Sequence, residues 1–153
     1  ERNTKWILET NVDDGTGEML GFAMELLMEA GAKDVWYTPI FMKKNRPAYQ
    51  LSLLCGEAER ELLEDILLTQ TTTIGIRRYP VERTVLEREA KTVETKYGTA
   101  EVKVCCHKDT VFCYPEYESI RRISKDTGLD FQSVYCAVRE QAVSQFGKEI
   151  LKG

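Results

Sequence analysis

Hydrophobic positions in the first half of the chain alternate between a period of two and a helical period. Lys5 to Val12 alternates, with Trp6, Leu8 and Val12 on one face and Ile7, Glu9 and Asn11 on the other, which predicts a strand. Gly17 to Ala30 carries Leu20, Ala23, Leu26/Leu27 and Ala30 as a helical stripe, with Thr16 as N-cap and Gly31 where a left-handed C-terminal residue belongs. Asp34 to Phe41 and Tyr49 to Cys55 read as strands joined by the polar segment Lys43 to Pro47. Glu57 to Thr69 is a second amphipathic helix with Leu62, Leu63, Ile66 and Leu67 inward, and Thr73 to Tyr79 is a fourth strand. The order βαββαβ is that of a ferredoxin-like plait in the α+β class, assigned here to residues 1–80.

Residues 81–153 read as a smaller subdomain, a β-hairpin plus two helices. Val85 to Thr95 and Thr99 to Cys106 form the hairpin around Tyr97-Gly98, and Thr110 to Tyr114 adds a short strand. Pro115 suits the first position of a helix that runs to about Asp126 and ends at Gly128. Asp130 caps a last helix through Val134, Ala137, Val138 and Ala142 to Phe146, after which Gly147 to Gly153 is expected to fray.

Composition narrows the function classes. The 153 residues are 42% hydrophobic and 30% charged, the balance of a globular domain, and the net charge of -4 gives no general attraction to nucleic acid. Five scattered cysteines without C-x-x-C spacing argue against a disulfide framework and favour a reducing, cytoplasmic setting. Cys55 and Cys136 read as core residues, and Cys105 and Cys106 face opposite ways on a strand, which disfavours joint ligation of a soft metal. His107 is the single histidine, so no site can be built from several imidazoles of one chain. No apolar run has the length of a membrane span. The chain opens at Glu1 almost directly on a strand, as expected of a domain cut from a longer protein.

Polar blocks at the ends of these elements carry the candidate chemistry. Glu9, Asp13 and Asp14 offer hard oxygen ligands for a divalent cation, although an acidic first helical turn explains Asp13 and Asp14 equally well. Lys43, Lys44 and Arg46, bracketed by Pro39 and Pro47, suit phosphate or make a solvated hairpin tip. Thr72 and Thr73 can bond phosphate or serve as cap and strand residues. Arg77 and Arg78 point to opposite faces of their strand, so one shares a site with the basic loop and the other forms a surface ion pair. Glu116 opens the late helix with Tyr117, Glu118 and Arg121, where local pairing is the simpler account. No nucleophile–histidine triad or Walker-type loop is present, and no catalytic residue is assigned.

Taken together, Glu9-Thr-Asn-Val-Asp-Asp14, Thr38-Pro-Ile-Phe-Met-Lys-Lys-Asn-Arg-Pro47, Thr71-Thr-Thr-Ile-Gly-Ile-Arg-Arg78 and Pro115-Glu-Tyr-Glu118 resemble the C-terminal region of the LarC family of nickel-insertion proteins, or cyclometallases. The resemblance implies CTP-dependent insertion of nickel into pyridinium-3,5-bisthiocarboxylic acid mononucleotide, the precursor of the lactate racemase cofactor. It implies Mg²⁺ or Mn²⁺ beside the nucleotide and an N-terminal region supplied by the rest of the protein; a homo-oligomer is expected because ferredoxin-like plaits often associate. By that resemblance Asp13 and Asp14 belong to the acidic motif, Lys43, Lys44 and Arg46 to the basic loop, and Arg77 and Arg78 to the threonine-rich strand. The Gly15-Thr16-Gly17 turn departs from the family, where a bulkier residue is common. A ligand-binding and oligomerisation domain without catalysis is the competing expectation, and RNA binding through the sheet is disfavoured by the acidic charge.

Overall fold

A computed structural model describes residues 4–147. Of the segment Gly147 to Gly153 expected to fray, Gly147 still donates its N–H to the Val143 carbonyl (3.0 Å), and 148–153 lie outside the described residues. The chain forms two compact units, Glu1–Thr84 and Val85–Gly153, each with its own sheet and core.

The first unit is the α+β plait. Its elements are β1 (Thr4–Val12), α1 (Gly17–Glu29), β2 (Asp34–Met42), β3 (Arg46–Cys55), α2 (Glu57–Gln70) and β4 (Arg77–Glu82). The sheet is antiparallel with order β2-β3-β1-β4, and Leu8 lies opposite Leu53, which in turn faces Val35. That register puts Leu8, Val35, Leu51, Leu53 and Cys55 on one face, where Leu27 of α1 and Leu63 and Leu67 of α2 cover them. The Thr16 hydroxyl accepts the Met19 N–H (3.1 Å) at the start of α1, and Gly31 leaves it with φ of 106°.

Several expected boundaries move for identifiable reasons. The fourth strand begins at Arg77, not Thr73, because Thr73 and Gly75 are held in a connection by hydroxyl contacts to Thr10. Arg46 and Pro47 are already in β3, so the β2–β3 connection shrinks to the 3₁₀ turn Lys43–Asn45. Leu62 is 53% exposed, since the α2 stripe centres on Leu63 and Leu67 one residue further round.

The second unit comprises β5 (Glu87–Thr95), β6 (Gly98–His107), β7 (Thr110–Pro115), α3 (Tyr117–Thr127) and α4 (Phe131–Phe146). Its sheet has three strands, β5-β6-β7. Val93, Ala100, Val102, Val104 and Cys113 pack against Ile120, Ile123, Val134, Val138, Ala142 and Phe146. Pro115 does not start the helix. It closes β7 opposite Val102, the Glu116 N–H donates to the Glu101 carbonyl (2.9 Å), and Glu116 becomes the N-cap. Asp130 caps α4 as expected, accepting the Ser133 N–H at 2.9 Å, and hydrogen bonding from the Ser133 side chain and then its backbone holds the carboxyl below the usual range. Cys55 is buried, but Cys136 is exposed on α4, one turn from Gln132 and off its Val134–Val138–Ala142 stripe.

All four prolines sit where a backbone donor is not needed. Pro39 and Pro80 lie in the edge strands β2 and β4, Pro47 in the part of β3 that extends past its pairing with β1, and Pro115 at the end of edge strand β7. Among the described residues no helix is long and apolar enough to cross a membrane.

Candidate functional site

Three polar blocks far apart in sequence meet at one end of the first sheet. β1 ends at Val12 opposite Tyr49, so the Asp13-Asp14 bend lies beside the run of β3 that leads back to the Lys43–Asn45 turn. The α2–β4 connection returns to the same end, because β4 starts at Arg77 opposite Glu9. Contacts fasten it there. The Thr72 hydroxyl donates to Asp14 Oδ1, and the Thr10 hydroxyl meets that of Thr73 and donates to the Gly75 carbonyl (2.7 Å). Thr10 is a polar residue on the buried face, and these bonds satisfy it.

Glu9 is brought together with Arg77 rather than with Asp13 and Asp14. On the sheet face away from the helices, Arg77 Nε donates to Glu9 Oε1 at 3.0 Å and its Nη2 reaches Asn11 Oδ1 at 3.0 Å. Gln50 Nε2 (3.1 Å) and the Tyr79 hydroxyl (3.3 Å) both bond the other Glu9 oxygen. Burial of the phenol and the adjacent Glu9 charge raise the Tyr79 pKa, so it stays a donor. Arg78 projects the other way and pairs with Glu64 of α2 at 3.0 Å. The opposite orientations of the two arginines are those expected of neighbours on a strand.

The basic turn is different in kind. Lys43, Lys44 and Arg46 are exposed and enter no ion pair among the described residues. Lys44 and Asn45 have φ of 61° and 57°, the left-handed region that residues with a Cβ occupy at a cost. Two successive left-handed residues turn the chain sharply between Lys43 and Arg46.

A recess of about 220 Å³ opens at the same end, lined by Val12, Asp13, Pro39, Phe41, Pro47 and Tyr49 among others. Larger hollows in the second unit, such as the one of about 460 Å³ beside Lys91 and Cys106, are lined by other residues. Among the described residues no three His, Cys, Asp or Glu side chains form a ready metal cage. The oxygen donors Asp13, Asp14 and Thr72 fit a hard ion that completes its shell with phosphate and water.

Glu116 lies in the second unit, where its carboxylate pairs with Lys103 at 3.6 Å. Cys105 is buried and Cys106 half-buried, as expected of opposite strand faces. Reading the sequence for functional residues misses Thr10, Gln50 and Tyr79. Thr10 carried a signal, a polar residue at an inward position of β1; Gln50 and Tyr79 are recognisable only once the register places them around Glu9.

Residues 1–135 match the family model described as nickel insertion protein. A pyridinium-3,5-bisthiocarboxylic acid mononucleotide nickel insertion protein of Alkaliphilus metalliredigens is 55% identical over 88% of this chain and 32% of its own length. One of the same name from Lactiplantibacillus plantarum is 41% identical over 94% of this chain and 34% of its own. The chain thus spans about a third of the length of these relatives. Among solved structures, the apo form of LarC2, the C-terminal domain of a cyclometallase involved in synthesis of the NPN cofactor of lactate racemase, superimposes with a TM-score of 0.89. It is 39% identical, over 95% of this chain and all (100%) of that one. A Methanopyrus kandleri protein, 23% identical with a TM-score of 0.59 over 97% of each chain, shares the fold alone.

Proposed function

Because this chain belongs to the nickel insertion protein family, as a LarC-type C-terminal domain, we propose that it binds CTP with Mg²⁺ or Mn²⁺ and serves nickel insertion into pyridinium-3,5-bisthiocarboxylic acid mononucleotide. The observation that carries the reading is the meeting of the Asp13-Asp14 bend, the threonine connection and the exposed basic turn at one sheet end. A triphosphate is repelled by carboxylates and attracted by the basic turn, and a divalent ion between acid and phosphate reconciles the two. Bound there, the ion supplies charge neutralisation on the phosphate oxygens. Asp14, oriented by the Thr72 hydroxyl, stands ready to hold it. Lys43, Lys44 and Arg46 neutralise the remaining phosphate charge. Arg77, fixed by Glu9 and Asn11, borders the site, while Arg78 belongs to the helix side.

Nickel is the cargo. A nickel-delivering surface needs soft or imidazole ligands close together, so that step falls to the remainder of the longer protein and to the sulfurs of the substrate. On this reading the protein works in the cytoplasm as a homo-oligomer. A second reading, ligand binding and self-association without catalysis, draws support from the exposed Phe41 and Tyr49 side by side at the sheet end, 75% and 47% exposed.

Thermal unfolding separates the two. CTP with Mn²⁺ at a hundred times the dissociation constant should stabilise the chain by about 2.7 kcal/mol, and CTP with chelator far less. Equal stabilisation with and without metal removes the ion from the site. No stabilisation by either favours the association domain.

A further inference from the structure

We infer that β5 is an association surface for a second copy of this chain, the two β5 strands pairing antiparallel about a two-fold axis between their Ala90 residues. The inference gives the proposed homo-oligomer a surface, and it stands whether or not the chain binds a nucleotide. The two sheets have four edge strands, β2 and β4 in the first and β5 and β7 in the second. Pro39, Pro80 and Pro115 fall in β2, β4 and β7, and β5 alone of the four carries no proline. Among the described residues its nine-residue backbone pairs only with β6, in a register that sets Glu87 opposite Cys106 and Thr95 opposite Gly98. The outward row of amide and carbonyl groups is therefore unbroken, the template on which another strand adds. Glu87, Arg88, Glu89, Ala90, Thr92 and Glu94 are exposed, so both faces of the strand are open to approach.

Charge along this edge identifies the partner. Charged side chains ordinarily keep other strands away, and here their signs are arranged so that one register makes them complementary. Side chains alternate between faces, so a two-fold axis that keeps like faces together must pass at a residue. An axis at Ala90 sets Glu89 opposite Lys91 of the second copy, and Lys91 opposite its Glu89. On the other face Ala90 meets its own mate, small enough for close approach, and Arg88 lies one diagonal step from Glu94 of the second copy. Moving the axis one residue either way opposes Glu89 to Glu89 or Lys91 to Lys91, which repel. Within the chain the Lys91 ammonium lies 3.2 Å from the Glu89 carboxylate, and the two side chains are 40% and 73% exposed, within reach of a second copy. Exposed ion pairs add little energy, so they select the register while main-chain hydrogen bonds supply the attraction. The arrangement is closed: two three-stranded sheets merge into one whose outer edges are both β7, ended by Pro115.

Cross-linking and sedimentation of the full 153-residue chain test the assignment. In a Cys136→Ser background, which removes the exposed native thiol, Ala90→Cys should give a disulfide-linked dimer under mild oxidation. Directly opposed strand residues have Cα atoms about 4.5 to 5.5 Å apart, inside the disulfide range. Thr92→Cys, which faces Arg88 of the second copy and not its own mate, should cross-link more slowly by about tenfold or more. Lys91→Glu opposes like charges on both sides of the axis and should weaken the dimer by about tenfold, and the exchange Glu89→Lys with Lys91→Glu should restore it. Equal cross-linking at positions 90 and 92, or an exchange no better than Lys91→Glu alone, would overturn the register and with it the inference. A wild-type chain that sediments as a monomer at every concentration, or that associates while Ala90→Cys stays unlinked, would overturn the surface itself. CTP titration of the same variants reads the nucleotide proposal separately, because none of the substituted residues belongs to that site.

Discussion

Both units lay two helices over one face of an antiparallel sheet, yet they use their polar residues differently. In the first, Thr10, Thr72, Glu9 and Arg77 make contacts across 58 to 70 residues of sequence, and these define one end of the sheet. In the second, Asp130 caps its own helix, Thr95 bonds Gly98 within its hairpin, and the Ser119 hydroxyl accepts the Glu101 N–H from β6. The cores differ too: leucine dominates the first, and valine and alanine with isoleucine the second. Polar side chains that close local turns stabilise a fold. Polar side chains gathered from distant segments at a strand end, beside exposed cations, are the arrangement on which the proposed site rests.

The largest expected break in this comparison is in the cores. Leu53→Ala removes a fully buried side chain at the centre of the first sheet and should cost about 2 to 5 kcal/mol, read as a shift in the urea midpoint. It should also impair nucleotide binding. Val138→Ala, deep in the second core, removes less volume and should leave nucleotide affinity intact at temperatures where the chain is folded. Equal losses of affinity in both would mean that the site is not confined to the first unit.

Next in size is the basic turn. Arg46→Ala should lose on the order of 1.5 to 3 kcal/mol of nucleotide binding with little change in melting temperature, the scale of a charge-assisted hydrogen bond. Normal binding would return the turn to an ordinary hairpin tip. Lys44→Gly sharpens the point, since it relieves a left-handed residue while deleting a charge. Stability should rise by up to about 1 kcal/mol as CTP affinity falls. A variant both less stable and unaltered in binding would make Lys44 structural.

Cargo transfer should fail altogether without the rest of the protein. Ni²⁺, CTP, Mg²⁺ and the pincer precursor incubated with this chain should yield no metallated product, whereas adding the remaining region of a relative should restore it. Metallation by the chain alone would place the nickel ligands within these residues.

A further effect concerns pH. Burial, reinforced by Glu59 and Glu64, pushes the Cys55 thiol from 9.0 up to about 11. Its folded form holds the proton more tightly than the unfolded chain does. The contribution is complete below about pH 9 and is lost as pH rises toward 11. Urea midpoints should hold steady from pH 7 to 8.5 and decline above that, and Cys55→Ala should flatten the decline. Thiol labelling at pH 8 should modify exposed Cys136 first and Cys106 next, with Cys55, Cys105 and Cys113 protected by burial.

Much of the plait was legible in the residues. The alternation around Leu8, the Leu63–Leu67 stripe, the Thr16 cap and Gly31 are local signals, and local signals survive folding. The start of β4 was not legible, because Thr73 has strand propensity and only its contact with Thr10, 63 residues away, holds it in a connection. Pro115 fits a first helical turn or a strand end equally well, and pairing with Val102 decides between them. At the site, the face assignments of Arg77 and Arg78 followed from period two alone. The capture of Glu9 by Arg77, Gln50 and Tyr79 required the register of three strands, which no short window of sequence contains.

The placement of the prolines has a consequence for how copies of this chain meet. An open sheet edge is a template on which another polypeptide can add a strand, the first step toward fibrous aggregates. Pro39 interrupts the nine-residue β2 and Pro80 the six-residue β4, so neither edge of the first sheet offers an unbroken row of amide donors. Copies that meet on this sheet are then held through side chains, with a defined geometry and a defined end, rather than by open-ended zipping of its backbones.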